Sequence, residues 1–131
     1  GYWSRGLGDV YKRQQKRTAL GLGYQMSSEV YAAKLTVAAN GDSATSHGEH
    51  FGAVIAVVVD NNSGTGRAIS SLVDSNGMDI LGNADHSATD ANQQFEQTEM
   101  GGTAVAGTIT VTFASAIGGS GTADVYVYIA P

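Results

Sequence analysis

The sequence predicts an all-β protein, an antiparallel β-sandwich with a jelly-roll-like arrangement in a single domain. Composition is the first reason: the 131 residues include 18 glycines and one proline, 42% are apolar and only 15% are charged. Pattern is the second, because short alternating runs rich in Val, Ile and Thr are separated by Gly and Asn turns. Six to eight short strands in a chain of this length indicate one sandwich or jelly roll.

The first two predicted strands lie between residues 29 and 60. Glu29 to Ala38 alternates with a period of two, which is typical of a strand buried on one face. Phe51 to Asp60 is apolar on both faces and rich in Val and Ile. That pattern predicts a central strand that is covered on both sides. The polar stretch Ser43 to His50 between them predicts a loop.

Turn signals divide the middle of the chain. Asn61 to Gly66 favours a tight reversal, because Asn and Gly accept positive φ. Arg67 to Val73 predicts another strand, and Asp74 to Gly77 predicts a second reversal. Gly82 to Met100 has little pattern, so we expect a long surface excursion with at most a short strand near Phe95.

The C-terminal third has the clearest alternation. Thr108 to Phe113 and Asp124 to Ile129 each place apolar residues on one face. The glycine-rich loop Gly118 to Gly121 lies between them, which predicts an antiparallel hairpin. Tyr126 and Tyr128 are then expected on the outward face.

Charge is divided unevenly along the chain. The formal net charge is −5, but five of the seven basic residues come before residue 18. From Thr18 onward two basic residues stand against eleven acidic ones, a formal charge of −9. Such a body repels nucleic acid and anionic membranes, so we expect neither as a partner. No run approaches the roughly 20 apolar residues that span a bilayer, and the start shows no signal-peptide pattern.

The N-terminal residues 1–18 form either a basic arm or a sequencing artefact, followed by the sandwich domain at 19–131. Asp9 to Gln14 resembles one reading frame of the transposase-adapter end used to prepare sequencing libraries. This resemblance implies that Gly1 to Gln14 is translated adapter, that the gene start is missing and that the source is metagenomic. The alternative is a natural arm carrying Tyr2, Trp3 and Tyr11, which could strap onto a neighbouring subunit.

Few residue clusters could support chemistry, and each has a simpler explanation. His47, Glu49 and His50 with nearby Asp42 could ligate a metal, but a glycine-bearing loop does not fix ligand directions. The pattern of Asp85, His86 and Asp90 allows an acid/base interpretation, yet Ser and Thr are so common that a chance triad is expected. Calcium could bind at Asp60 to Asn62, although turn capping explains these residues.

The other candidates are surfaces and turns. The glycine clusters at Gly101 and Gly118 lack the lysine and strand context of a nucleotide-binding loop. The chain has no Cys, which excludes disulfides and thiolate chemistry. We therefore expect no enzyme activity, no catalytic residues, no metal and no cofactor. Alternate threonines from Thr108 to Thr112, with Tyr126 and Tyr128, would form a polar and aromatic face suited to sugar or protein, or an ordinary solvent-facing sheet.

The C-terminal third, GTAVAGTITVTFASAIGGSGTADVYVYIAP, resembles small virion proteins encoded in the structural cassettes of tailed bacteriophages. The resemblance extends to two earlier segments that fit the same kind of β-sandwich, VVVDNNSGTGRAI and VDSNGMDIL. It therefore covers about residues 29–131. It implies a capsid decoration protein or another head or tail component of the virion. Its partners would be a major capsid or tail protein and copies of itself, in a homo-oligomer.

Two other classes fit the same sequence. A subunit of an extracellular filament would complete its neighbour's sheet with a terminal strand. A carbohydrate-binding or adhesin module would use the tyrosine face and bind a glycan as a monomer.

Overall fold

The computed structural model of the protein describes residues 29–62, 67–86 and 92–131. The predicted N-terminal arm at residues 1–18 lies outside these ranges, as do residues 19–28. Residues 63–66 of the predicted Asn61 to Gly66 turn and residues 87–91 of the predicted excursion lie outside them as well.

Strands dominate the described residues, with one short helix. In chain order the elements are β1 (Tyr31–Val37), β2 (Ser43–Thr45), β3 (His50–Asn61), β4 (Ile69–Asp74), β5 (Asn92–Glu96), α1 (Gln97–Met100), β6 (Ala104–Gly107), β7 (Ile109–Phe113) and β8 (Ala123–Ala130).

These strands form two antiparallel sheets around one core. In the large sheet the order is β1, β8, β3, and then β5 and β6, which both pair with the far side of β3. The small sheet has the order β2, β7, β4. The predicted all-β antiparallel sandwich is confirmed, while the jelly-roll detail stays a prediction.

The core follows from the alternation seen in the sequence. In β1 the residues Ala33, Leu35 and Val37 are buried and the residues between them are exposed, as the period of two predicts. The same alternation in β8 and β7 supplies the other walls. The innermost large side chains are Leu35, Val37, Val54, Val57, Ile69, Leu72, Ile80, Leu81, Phe95, Met100, Ile109, Val111, Val125, Val127 and Ile129.

A β-bulge divides the central strand β3. Val54 pairs with Ile129 and Ala56 pairs with Tyr128, so Ile55 is an extra residue without a register partner. Even-numbered residues before the bulge and odd-numbered residues after it therefore face the core, which explains why the sequence is apolar on both faces. The predicted central position is correct, but the prediction of cover on both sides is not: in the described residues Ala56 and Val58 are only partly buried on the face away from the core.

The predicted C-terminal hairpin is wrong. β7 lies between β2 and β4 in the small sheet, whereas β8 lies between β1 and β3 in the large sheet. The loop from Ala114 to Thr122 crosses from one sheet to the other, and its Ile117 is buried in the core. Alternation predicts each strand, but it does not reveal which strands are partners.

The middle of the chain differs from the predictions in two places. The predicted loop Ser43 to His50 contains the three-residue strand β2, which pairs with β7. The predicted surface excursion includes the strand near Phe95, as expected, but Phe95 and Met100 are fully buried. Because the residues around Phe95 and Met100 are polar, the sequence shows no apolar pattern that would predict these two core positions.

Gly52 is required where β3 passes the end of β8. Its φ is 147°, and a Cβ there would meet the carbonyl oxygen of Ala130. We predict that Gly52→Ala lowers the free energy of unfolding by about 2 kcal/mol or more, because the substitution adds backbone strain and a steric clash. Urea unfolding measures this change.

Gly48 provides the matched control for that prediction. It also has a positive φ, 85°, but no atom lies within 4 Å of the position that a Cβ would take. Gly48→Ala should therefore lower the free energy of unfolding only by the cost of placing alanine at a positive φ, without a steric clash. Equal losses for both variants would contradict the proposed contact between Gly52 and Ala130.

Candidate interaction surface

The outer face of the large sheet carries an apolar surface at one end. Cross-strand register places its side chains next to one another, since directly opposed residues share a face. We call this surface the apolar band; its residues are Ala32, Phe51, Ala53, Ala56, Ala104, Ala106, Tyr128 and Ala130. Six of these eight residues are alanines and none is charged, so the band is flat and requires little desolvation of polar groups.

The most exposed large apolar side chains of the described residues all lie at this end of the sheet. Phe51 is 57% exposed and belongs to the band, while Val30 is 49% exposed and directly precedes β1. Met78, 49% exposed, lies beside Ala104 and Ala106. Their grouping is the feature that distinguishes a contact surface from scattered apolar residues.

The opposite end of the same face is polar and acidic. Asp60 and Asp124 are direct cross-strand neighbours, and Asn92 faces Asp60 from β5. The Asp124 carboxylate accepts a 2.7 Å hydrogen bond from Thr36 Oγ1 and a 3.0 Å bond from Asn62 Nδ2. Between the two ends, Lys34 Nζ lies 5.7 Å from the ring centroid of Tyr126. The face therefore changes from apolar to acidic along the strands.

The outer face of the small sheet has a different chemistry. Thr45 and Thr110 are cross-strand neighbours whose hydroxyls lie 3.0 Å apart, and Ser43 pairs with Thr112 beside them. This face carries hydroxyl groups, whereas the tyrosines belong to the other sheet. The predicted combined surface of threonines and tyrosines is therefore wrong, since the two sets lie on opposite sides of the sandwich.

A pocket of about 470 Å³ opens beside β6, and we call it the β6 pocket. Ala104, Val105 and Ala106 form one wall, and the 74–79 reversal with Met78 forms the other. Asn76 Nδ2 donates a 3.1 Å hydrogen bond to the Ala106 carbonyl, which ties the reversal to the strand edge. Sequence reasoning missed this pocket, because only the fold brings the Asp74 to Gly77 reversal against β6.

Asp74 stabilises the reversal that lines the β6 pocket and connects it to β6. Its carboxylate accepts hydrogen bonds from the backbone N–H groups of Asn76 and Met78, each 2.9 Å, and of Ala106, 3.0 Å. Burial raises the pKa of Asp74, but these backbone donors together with Gly77 hold it below its ordinary value. The carboxylate is thus occupied by structural hydrogen bonds, so Asp74 is a structural group, in agreement with the predicted reversal at this position.

The structure does not assemble the candidate metal ligands. Asp42, His47 and Glu49 are exposed, while His50 Nδ1 lies 2.9 Å from the hydroxyl of Tyr31. Across the described residues, His, Asp and Glu side chains form no group of three that could hold a metal ion.

The remaining candidates are also separated. His86 Nδ1 bonds the carbonyl of Ile69, and Asp90 lies outside the described residues. Asp60 is on the outer face, whereas its neighbour Asn61 is buried on the core face, so they do not converge on a calcium ion. Gly101 ends α1 in a left-handed conformation, which is the role of a turn.

Comparison of the chain with protein-family models, with curated proteins and with solved structures finds no match in any of the three. No helix in the described ranges is both long enough and apolar enough to span a bilayer.

We predict that Asp74→Asn lowers the free energy of unfolding at pH 7 by about 2 kcal/mol, because an amide nitrogen replaces one acceptor of buried N–H groups. The folded-state pKa of Asp74 is lowered, so its stabilisation is present above the unfolded pKa of about 3.9 and is lost as pH falls through the folded value. The difference between wild type and variant should therefore shrink below about pH 4. Urea unfolding at pH 7 and at acid pH measures it.

The control for this prediction is Asp42→Asn, which changes an exposed carboxylate. It should leave stability nearly unchanged at pH 7. If both variants lost the same free energy, the structural role of Asp74 would be rejected.

Proposed function

We propose that this chain is a structural protein of a virus particle, a bacteriophage capsid decoration protein or another head or tail component. It acts through repeated protein–protein contacts with a major capsid or tail protein and with copies of itself. Its place is the virion, and its chemistry is that of a surface rather than of a catalytic centre.

The apolar band is the observation that carries this proposal. A flat, uncharged surface that includes Phe51 and has Met78 at its border favours burial against another folded protein. The threonine-lined face of the small sheet suits water instead. A sandwich with one apolar and one hydroxyl-lined face is suited to a layer that contacts neighbours on one side and solvent on the other.

Charge supports a position outside the packaged genome. The body from Thr18 onward has a formal charge of −9, and Asp60 and Asp124 extend that charge across the open sheet. Such a surface is repelled by DNA phosphates. The particle exterior is therefore a better environment for it than the DNA-filled interior.

Electron cryomicroscopy of the native assembly that contains this chain tests the proposal. We expect a closed icosahedral shell or a tail in which the sandwich repeats on the outside, with the apolar band turned toward protein density. An open helical fibre would instead identify the filament subunit, and a monomer that binds an isolated glycan would identify the carbohydrate-binding module. Either outcome would overturn the proposal.

A binding experiment separates the two outer faces. We predict that Ala53→Glu reduces binding to particles that lack this protein by at least about tenfold, since it buries an unpaired charge in the contact. Thr112→Glu places the same charge on the small sheet and should bind like the wild type. Sedimentation of particles with bound protein measures both, and equal binding by the two variants would contradict the role of the band.

A further inference from the structure

We propose that a neighbour seated on the apolar band is a second copy of this chain, which inserts its Phe51 side chain into the β6 pocket. This inference rests on the proposed role in repeated contacts and names the partner of that surface. Contact between neighbouring copies on the particle is then the step in binding that Ala53→Glu weakens.

Phe51 is the projecting part of the contact. It lies near the start of β3, directly opposite Ala106, and its small neighbours Ala53 and Ala104 leave it standing above the sheet. With 57% of its side chain exposed, Phe51 is the most exposed large apolar residue described. Complete burial of an aromatic side chain removes about 150–250 Å² from water, and a little over half of that area is still exposed at Phe51, so this one side chain can supply a substantial part of a small contact.

The β6 pocket is the matching cavity. Its volume of about 470 Å³ is sufficient for an aromatic ring, and its walls are the side chains and backbone of Ala104 to Ala106 and Met78. A methionine beside an aromatic ring is a favourable contact. Two carboxylates also line the pocket, and both accept hydrogen bonds from the backbone. Asp74 accepts three at 2.9 to 3.0 Å, and Asp79 Oδ1 accepts one at 3.1 Å from the N–H of Leu81. The rest of the lining, Ala104 to Ala106 and Met78, favours an apolar side chain.

The projecting side chain and the cavity are neighbours on one protomer. Phe51 pairs across the sheet with Ala106, and Ala106 lines the pocket from the other edge of β6. A two-fold contact between copies at β6 can therefore make both insertions at once, one Phe51 in each direction. Isologous pairing of this kind needs one self-complementary patch, which this corner of the sheet provides.

The size of the band sets the strength of the contact. Four strands at about 4.8 Å spacing and about 17 Å along β3, from Phe51 to Ala56, give a flat area of about 300 Å². A stable interface usually buries about 800 Å² on each partner. The pair is therefore weak in dilute solution and gains strength in an assembly, where each copy makes several contacts.

The charge of the chain gives the association of two identical copies a characteristic dependence on salt. Each body is acidic, and although Asp60 and Asp124 lie at the end of the sheet away from Phe51, Asp74 and Asp79 line the β6 pocket itself, so two copies that meet there repel each other. Raising ionic strength from about 0.1 M to 1 M shortens the screening length from about 10 Å to about 3 Å. Association between two acidic copies should then strengthen, whereas association with a basic partner would weaken.

Sedimentation equilibrium of the full chain provides the first test. We expect a monomer–dimer equilibrium whose dimer fraction rises with protein concentration and with sodium chloride. Phe51→Glu should raise the dissociation constant at least about tenfold, and Thr112→Glu on the small sheet should not change it. A monomer at every concentration and salt, or equal effects of the two substitutions, would overturn the inference.

Cross-linking identifies the surfaces that meet, because the chain has no native cysteine. Chains carrying Ala53→Cys, which retain Phe51, are mixed with isotope-labelled chains carrying Met78→Cys and treated with a short bismaleimide. Mixed dimers linked between positions 53 and 78 are expected, while Thr112→Cys chains should give few links to position 78. Equal yields from positions 53 and 112 would show that the copies do not meet at the β6 pocket.

A variant in residues 19–28 tests the alternative that this segment of the chain, rather than a second copy, occupies the apolar band. Leu20 and Leu22 lie in residues 19–28, which precede β1 and could cover the band of their own chain. Leu22→Asp should leave the dimer unchanged, and loss of the dimer in this variant would assign the contact to that segment. A virion that contains this chain together with a monomer in solution would reject only the inferred pairing, whereas a dimer without a virion would reject only the proposed function.

Discussion

The central strand β3 imposes the constraint on which the rest of the structure depends. It pairs with β8 along one edge and with both β5 and β6 along the other, so every strand of the large sheet except β1 contacts it directly. Its sequence is apolar on both faces, but the small sheet covers only one of them. The bulge at Ile55 keeps Val54 and Val57 in the core despite their odd spacing. The residues of β3 on the other face, Phe51, Ala53 and Ala56, form the centre of the apolar band.

The imbalance between the two sheets explains why that face matters. Three strands pack against five, and the outer side of the small sheet is hydroxyl-lined while the outer side of the large sheet is apolar at the Phe51 end. Leaving Phe51 in water forgoes free energy that burial against a partner would recover. A sandwich stabilised by one core can therefore retain a surface whose burial stabilises an assembly.

Sequence reasoning predicted what depends on local alternation and missed what depends on pairing. The strand that ends at Val37 and the reversal after Asp74 were predictable, because period-two burial and turn residues are local signals. The partners of β7 and β8 were not, since alternation assigns a face to a strand but does not choose its neighbour. The separation of the threonine and tyrosine faces follows from that same limit. The candidate surface was only partly predictable for a related reason: Phe51 looked like the start of a covered strand, and the β6 pocket depends on contacts between Asp74 and Ala106, 32 residues apart in the chain.

Hydroxyl-radical footprinting of the native assembly, compared with the isolated chain, tests most directly whether the apolar band is a contact surface. Aromatic, sulfur and imidazole side chains are oxidised in proportion to their exposure, so Phe51, Met78 and His47 report on separate regions. The account predicts that oxidation of Phe51 and Met78 falls several-fold in the assembly while that of the exposed loop residue His47 stays the same. Unchanged oxidation of Phe51 and Met78 in the assembly would contradict it.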